Sequence, residues 1–246
     1  MKTRFDAAHG GRELSIRTRG GVNMYDKVLS VWGDSIAKGV VYDEARGRYA
    51  VLKDSCLSRL AREKGVAVQN HSVMGQTSEN ALDRMRIEDL KSGEVAVIEY
   101  GGNDCDLDWQ AVSDHPEVAQ FGKVPIAKFA QNLKELVQRV CAAGAEPVLV
   151  TPAPLISQRY FDWVSKGRSS ENILRYLGDV EHIFRWQDGY AECVRSVAKE
   201  LGVLLVDVRS RMMSSGSLDD IICVDGIHPN AAGHALIYDA VAPMFS

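Results

Sequence analysis

A chain of 246 residues, 46% hydrophobic and 25% charged, has the size and composition of one globular α/β domain with a substantial core. A formal net charge of −4 gives no electrostatic reason to expect a nucleic-acid partner or an acidic membrane surface. No apolar run approaches the roughly 20 residues of a membrane helix, so no integral membrane association is expected.

Met1 to Gly21 is charged and glycine-containing, without the apolar centre of a signal peptide, and the chain is read as cytoplasmic. Five cysteines, odd in number and without a CxxC pair, read as thiols in a reducing compartment. Met1 to Asp26 shows no sustained periodicity and is expected to be an N-terminal arm or extension; Met24 is a candidate natural start. A single domain over 27–246 follows. Val28 to Trp32 is apolar apart from one small serine, as in a strand covered on both faces. It runs into Gly33, which permits a backbone conformation that a side chain would block, then Asp34 and Ser35.

A polar stretch leads to an amphipathic helix near Val51 to Lys64, stopped by Gly65. Strands are expected at Val66 to His71, Val95 to Tyr100, Glu146 to Val150 and Val203 to Val206. Helices are expected from Thr77 (with Asn80 in a capping pattern), over Ile126 to Ala143, near Gln187 to Leu201 and over Asn230 to Met244. This alternation implies a parallel sheet wrapped by helices on both sides. The stretch 152–186 is too long for an ordinary strand-to-helix connection and is rich in aromatics. It reads either as the wall of a binding site or as a helical insertion that completes the core.

Ser35, Gly75 and Asn103 each follow a predicted strand, and Asp225 and His228 precede the last helix. Open parallel sheets place ligands at the carboxyl ends of their strands. A serine hydroxyl needs an adjacent base, which His228 can supply, and Asp225 can hold the other ring nitrogen if 225–228 makes a turn. Pro229 restricts the backbone of His228. The N–H groups of Ser35 and Gly75 and the Asn103 amide could stabilise an oxyanion. Singly, each motif is an ordinary turn or cap; their order and placement carry the reading.

Gly33-Asp34-Ser35, Gly75, Gly101-Gly102-Asn103-Asp104 and Asp225-Gly226-Ile227-His228-Pro229 together resemble the SGNH hydrolases, the GDSL-type lipase/acylhydrolase family. Ile36 replaces the leucine of the GDSL signature. The resemblance implies a three-layer α/β/α flavodoxin-like fold with a central parallel sheet of about five strands, and hydrolysis of esters or related acyl bonds. It also implies Ser35 as nucleophile, His228 as base, Asp225 as its orienter, and an oxyanion hole from Ser35, Gly75 and Asn103.

Asp34 reads as a turn or cap residue. Asp104, Asp106 and Asp108 alternate as in a calcium loop, but Trp109 and His115 occupy its glycine and glutamate positions, so they read as site-rim or solvated acids. His71 and His234 lack metal-ligand spacing and read as solvated or core histidines. Cys105 has no evident paired base. No P-loop or dinucleotide fingerprint is present, and neither cofactor nor metal is expected. The expected function is a serine esterase acting on a small-molecule ester through an acyl-serine. The alternatives are an acyltransferase or carbohydrate acetylesterase on the same site, or a non-catalytic flavodoxin-like module that binds a small ligand. The acyl chain, the alcohol and the oligomeric state are not legible from the sequence.

Overall fold

Strand β1 (Val28–Gly33) is an inner strand of the sheet, pairing in parallel with β4 (Ala67–Asn70) on one side and β5 (Val95–Glu99) on the other. Outside β5 come β6 (Glu146–Val150) and β7 (Leu204–Val206), also parallel, giving the order β4-β1-β5-β6-β7. The computed structural model describes residues 28–245. The expected amino-terminal arm and the candidate start at Met24 lie outside the described residues.

Side chains alternate across a strand, so each strand must find apolar cover on both faces. Leu29 and Val31 of β1, with Val97 and Val148, pack under α2 (Cys56–Lys64), α9 (Val208–Met213) and α10 (Ala231–Val241). Trp32, Ala96, Ile98 and Leu149 face the other way, under α3 (Ser78–Arg84), α5 (Ile126–Ala142) and α8 (His182–Leu201). The lone serine of β1, Ser30, is buried without cost because its hydroxyl accepts from Trp32 Nε1 at 3.1 Å. The result is the three-layer α/β/α architecture with five parallel strands that the sequence implied. Proline stands at the second residue of β6, one residue before the pairing with β7 begins at Val148.

Local signals set most boundaries. Thr77 caps α3, its hydroxyl accepting from Asn80 N while the Asn80 side chain accepts from Thr77 N. Gly65 and Gly202 end α2 and α8 in the left-handed region.

Several element positions differ from expectation. The polar stretch after Ser35 holds α1 (Ser35–Lys38) and a separate antiparallel hairpin, β2 (Val40–Asp43) with β3 (Arg48–Val51). Consequently α2 starts at Cys56 rather than near Val51. Short α4 (Trp109–Asp114) follows β5, and α8 begins at His182, a turn earlier than the periodicity suggested. The stretch 152–186 holds α6 (Ser157–Val164), α7 (Ser170–Leu177) and the start of α8, which build a satellite core around Ile173, Leu177 and Ile183 with Trp109 and Val112 of α4. All five cysteines are free thiols, three of them buried. Among the described residues no helix is long and apolar enough to cross a membrane.

Candidate active site

Three segments meet at the carboxyl end of the sheet. β1 ends at Gly33, and Asp34 then caps α1, its Oδ1 accepting from Ile36 N at 2.8 Å, which fixes Ser35 in the first helical turn. Gly33 does not adopt a positive φ; it is glycine because a Cβ there would sit 2.7 Å from the Ala37 Cβ and 3.0 Å from a Glu99 carboxyl oxygen. Room, rather than the backbone freedom inferred from sequence, is what this position requires.

The second segment is the turn before α10. Asp225 Oδ1 accepts from the N–H groups of both Ile227 and His228, each at 3.2 Å. Gly226, at φ 82°, lets the chain reverse against Tyr160, where a side chain would collide with the Tyr160 backbone. A bridge between Ile222 and Pro229 and the bond from Cys223 N to His228 O at 2.8 Å close the loop behind the histidine. The ring is held at both ends: Nδ1 lies 2.6 Å from Asp225 Oδ2 and Nε2 lies 2.8 Å from Ser35 Oγ. All three side chains are buried. Burial pushes the Asp225 carboxyl up, but the hydrogen bond and charge of His228 and the two backbone N–H groups outweigh it and hold the pKa below the ordinary value.

The third segment follows β5. Asn103 Nδ2 donates to Asp34 Oδ2 at 2.9 Å, which turns the amide nitrogen toward the serine loop. Asp104, expected at the rim or in solvent, is fully buried and structural. Its Oδ1 accepts from Ser78 N at 2.9 Å and Ser78 Oγ at 2.5 Å, and its Oδ2 accepts from Gly101 N at 3.1 Å, so it ties the Gly101–Asp104 turn to α3. Burial pushes its pKa up to about 6 against those bonds. Asp108 caps α4.

Ser35, Asn103 and His228 open onto a cleft of about 700 Å³, open solvent included. Asp106 and Cys105 also line it, and the Cys105 thiol donates to Gly102 O at 3.1 Å. Burial raises the Cys105 pKa well above the ordinary thiol value, which removes it as a competing nucleophile near neutral pH. Gly75 lies on the exposed loop after β4 at φ 79°, with open space where a Cβ would point. That loop runs beside β1, since Val73 N donates to Gly33 O at 3.1 Å, but Gly75 is not among the residues lining the cavity. Among the described residues no cluster of three or more His, Cys, Asp or Glu could hold a metal ion.

The GDSL-like lipase/acylhydrolase family matches residues 31–236, from the second half of β1 into α10. The chain belongs to that family. A GDSL esterase/lipase of Arabidopsis thaliana is 25% identical over 155 residues, which cover 61% of this chain and 59% of that protein. The uncharacterized lipoprotein YqeF of Bacillus subtilis is 22% identical over 243 residues, 88% of each chain. Among solved structures, the lipase/acylhydrolase from Enterococcus faecalis superposes with a TM-score of 0.61 at 21% identity, covering 89% of this chain and 94% of its own. An acetylxylan esterase from Geobacillus stearothermophilus superposes with a TM-score of 0.57 at 19% identity, covering 90% and 94%. At these identities the structures share the fold. Membership of that family supports an ester-cleaving hydrolase.

GDSL motifs point to Ser35, Asn103, Asp225 and His228 but leave other parts of the site unmarked. Tyr49 of the β2–β3 hairpin places its ring 5.0 Å from the His228 ring, and burial beside the Asp225 carboxylate raises its pKa. Tyr42 of the same hairpin meets Trp163 of α6 edge-on at 4.9 Å, so the hairpin and the 152–186 stretch brace each other over the histidine. The β-branched and aromatic residues of Val40–Asp43 and Arg48–Val51, with Gly47 in the left-handed region between them, were the available signal. Asp106 organises the cavity wall: Oδ1 accepts from Tyr160 OH at 2.6 Å and Trp109 Nε1 at 2.8 Å, and Oδ2 pairs with Lys123 Nζ at 2.7 Å. Those partners come from α4, α6 and a loop, and no spacing in the sequence joins them.

Proposed function

We propose that this protein hydrolyses a carboxylic ester through an acyl-serine intermediate. The observation that carries the reading is the unbroken hydrogen-bonded line from Asp225 through His228 to Ser35, ending at the cavity. Ser35 Oγ attacks the ester carbonyl as its proton passes to His228 Nε2. The tetrahedral oxyanion takes hydrogen bonds from Asn103 Nδ2 and the N–H group of Ser35, both residues lining the cavity. Collapse breaks the ester C–O bond, and the leaving alkoxide takes the proton from His228. A water then gives its proton to His228 and attacks the acyl carbon; the carboxylic acid leaves and Ser35 recovers its proton. Asp225, ionised throughout, fixes the ring tautomer and stabilises the imidazolium.

The cavity wall favours an aliphatic acyl chain over a sugar. Most of its polar side chains are spent inside the protein: Tyr160 and Trp109 on Asp106, Trp186 Nε1 on Cys105 O at 2.7 Å, and Gln187 on Ala153 O and Arg209. Apart from the His182 imidazole and the serine site itself, what remains facing the space are rings and the aliphatic surfaces of Leu107, Leu155 and Leu177. A panel of esters of graded chain length, run beside acetylated sugars with Ser35→Ala as the blank, tests both points. Turnover that rises with chain length supports the reading; turnover confined to acetylated sugars, or faster transfer to an added alcohol than to water, replaces it with one of the alternatives.

A further inference from the structure

Asp34 and Glu99 are two buried carboxyl groups at the point where β1 and β5 end side by side, Gly33 registering with Glu99. The Glu99 carboxyl packs against the bare Cα of Gly33, within reach of the Asp34 side chain and of the Asp34 and Ala37 backbone N–H groups. The two groups are not equivalent. Asp34 accepts from Ile36 N and from Asn103 Nδ2 and feels the charge of His228. Neither Glu99 oxygen has an N–H donor in good hydrogen-bond geometry. Two adjacent carboxylates in a dry site cannot both ionise, so they hold one proton between them, and it rests on the group with fewer donors.

We propose that Glu99 is a positioning residue of the hydrolytic site, its protonated carboxyl donating to the Asp34 carboxylate, which in turn holds the Asn103 amide with nitrogen toward Asp34 and its second N–H toward the oxyanion. An anionic Asp34 accepts only, so it excludes the flipped amide that would present oxygen to the developing negative charge. Burial raises both acids above the ordinary range; the Asp34 charge raises Glu99 further, while the hydrogen bond from Glu99 pulls Asp34 back down, consistent with one shared proton that rests on Glu99. The other titratable groups facing the pair are Asp104 and Tyr100 beside β5, His228 across the site, and Cys56 of α2 and His234 of α10, which share a second, apolar cavity wall with Glu99. Burial holds His234 neutral, and the His228 charge acts on Asp34, which leaves the proton to Glu99.

The proposal rests on the ester-hydrolase reading only for its kinetic arm. At neutral pH, the infrared difference between the parent and Glu99→Gln is expected to show loss of a protonated carboxyl C=O band; loss of ionised carboxylate bands instead overturns the proposal, whether or not the protein is active. Glutamine keeps a neutral donor, so Glu99→Gln is expected to keep kcat within a few-fold, whereas Glu99→Leu is expected to lower kcat roughly 10-fold or more with KM unchanged. Equal losses in both variants, or a parental kcat in Glu99→Leu, also overturn it. Should Glu99→Leu fail to fold, the infrared comparison on Glu99→Gln decides alone.

Discussion

His228 Nε2 stands 2.8 Å from Ser35 Oγ although 193 residues separate them in the chain. Neither the β1–α1 junction nor the Asp225–Pro229 turn makes this contact alone. The sheet does so by ending β1 beside the loop that α10 pins down, where Asn230 caps the helix through Ala232 N and Gly233 N.

Asp225→Asn keeps the size of the side chain but removes the charge that faces the imidazolium and can select the wrong ring tautomer. Turnover is expected to fall on the order of 10⁴-fold with an unchanged circular-dichroism spectrum. Near-parental turnover in a folded variant would remove Asp225 from the mechanism.

Asn103→Ala is expected to lower kcat by roughly 10²- to 10³-fold, far more than it changes KM, because an oxyanion donor acts as charge develops. Asn103→Asp should be slower still, placing a carboxylate against the oxyanion and beside Asp34. Losses of thermal stability in both variants, with kcat of the folded fraction near parental, would make Asn103 only a brace for the Gly101–Asp104 turn.

Leu177→Trp fills part of the cavity from α7 without touching the serine. Longer acyl chains should be disfavoured, each excluded methylene costing roughly 10-fold in kcat/KM, while acetyl esters are turned over much as before. Unchanged relative rates across an ester series would make this wall scaffold rather than substrate contact.

His234 is buried under the sheet, and burial lowers its pKa to about 4, with the His228 charge adding to the shift and a Val40 backbone group opposing it. The unfolded chain therefore binds this proton between about pH 6.5 and 4 while the folded chain does not, so stability is lost as pH falls through that window, by up to about 3 kcal/mol. Asp104, pushed up to about 6, works in the opposite sense, gaining stability as pH falls toward the ordinary carboxyl range. His234→Leu isolates the histidine: its loss of stability from pH 7 to 4, followed by denaturant melts, should be smaller than the parent's. Parallel pH curves would contradict the assignment.

The sheet and the grouping of Ser35, Asp225 and His228 were legible because they rest on strong local signals. Runs such as Val95–Glu99 and Glu146–Val150 are too apolar and β-branched for anything but buried strands, and Ser35, Asn103 and Asp225 lie in turns at predictable ends. The β2–β3 hairpin was hidden because each strand has four residues, half-exposed and polar at one end. Asp104 looked solvated because its partner Ser78 is 26 residues away, and Glu99 looked like an ordinary strand end because only the register with Gly33 sets it against Asp34. Of the two readings open for 152–186, both describe part of it: Tyr160 and Trp186 reach the cavity, while Phe161 and Ile173 fill the satellite core.

The central claim is that Ser35 becomes covalently acylated. Rapid quenching of the protein with a p-nitrophenyl ester, followed by intact-mass and peptide analysis, tests it most directly. The expected result is a burst of p-nitrophenol equal to the enzyme and an acyl mass increment on the peptide carrying Ser35, absent in Ser35→Ala and trapped longer in His228→Gln after slow loading. Steady turnover with no burst and no adduct on Ser35, or turnover that survives Ser35→Ala, would contradict it.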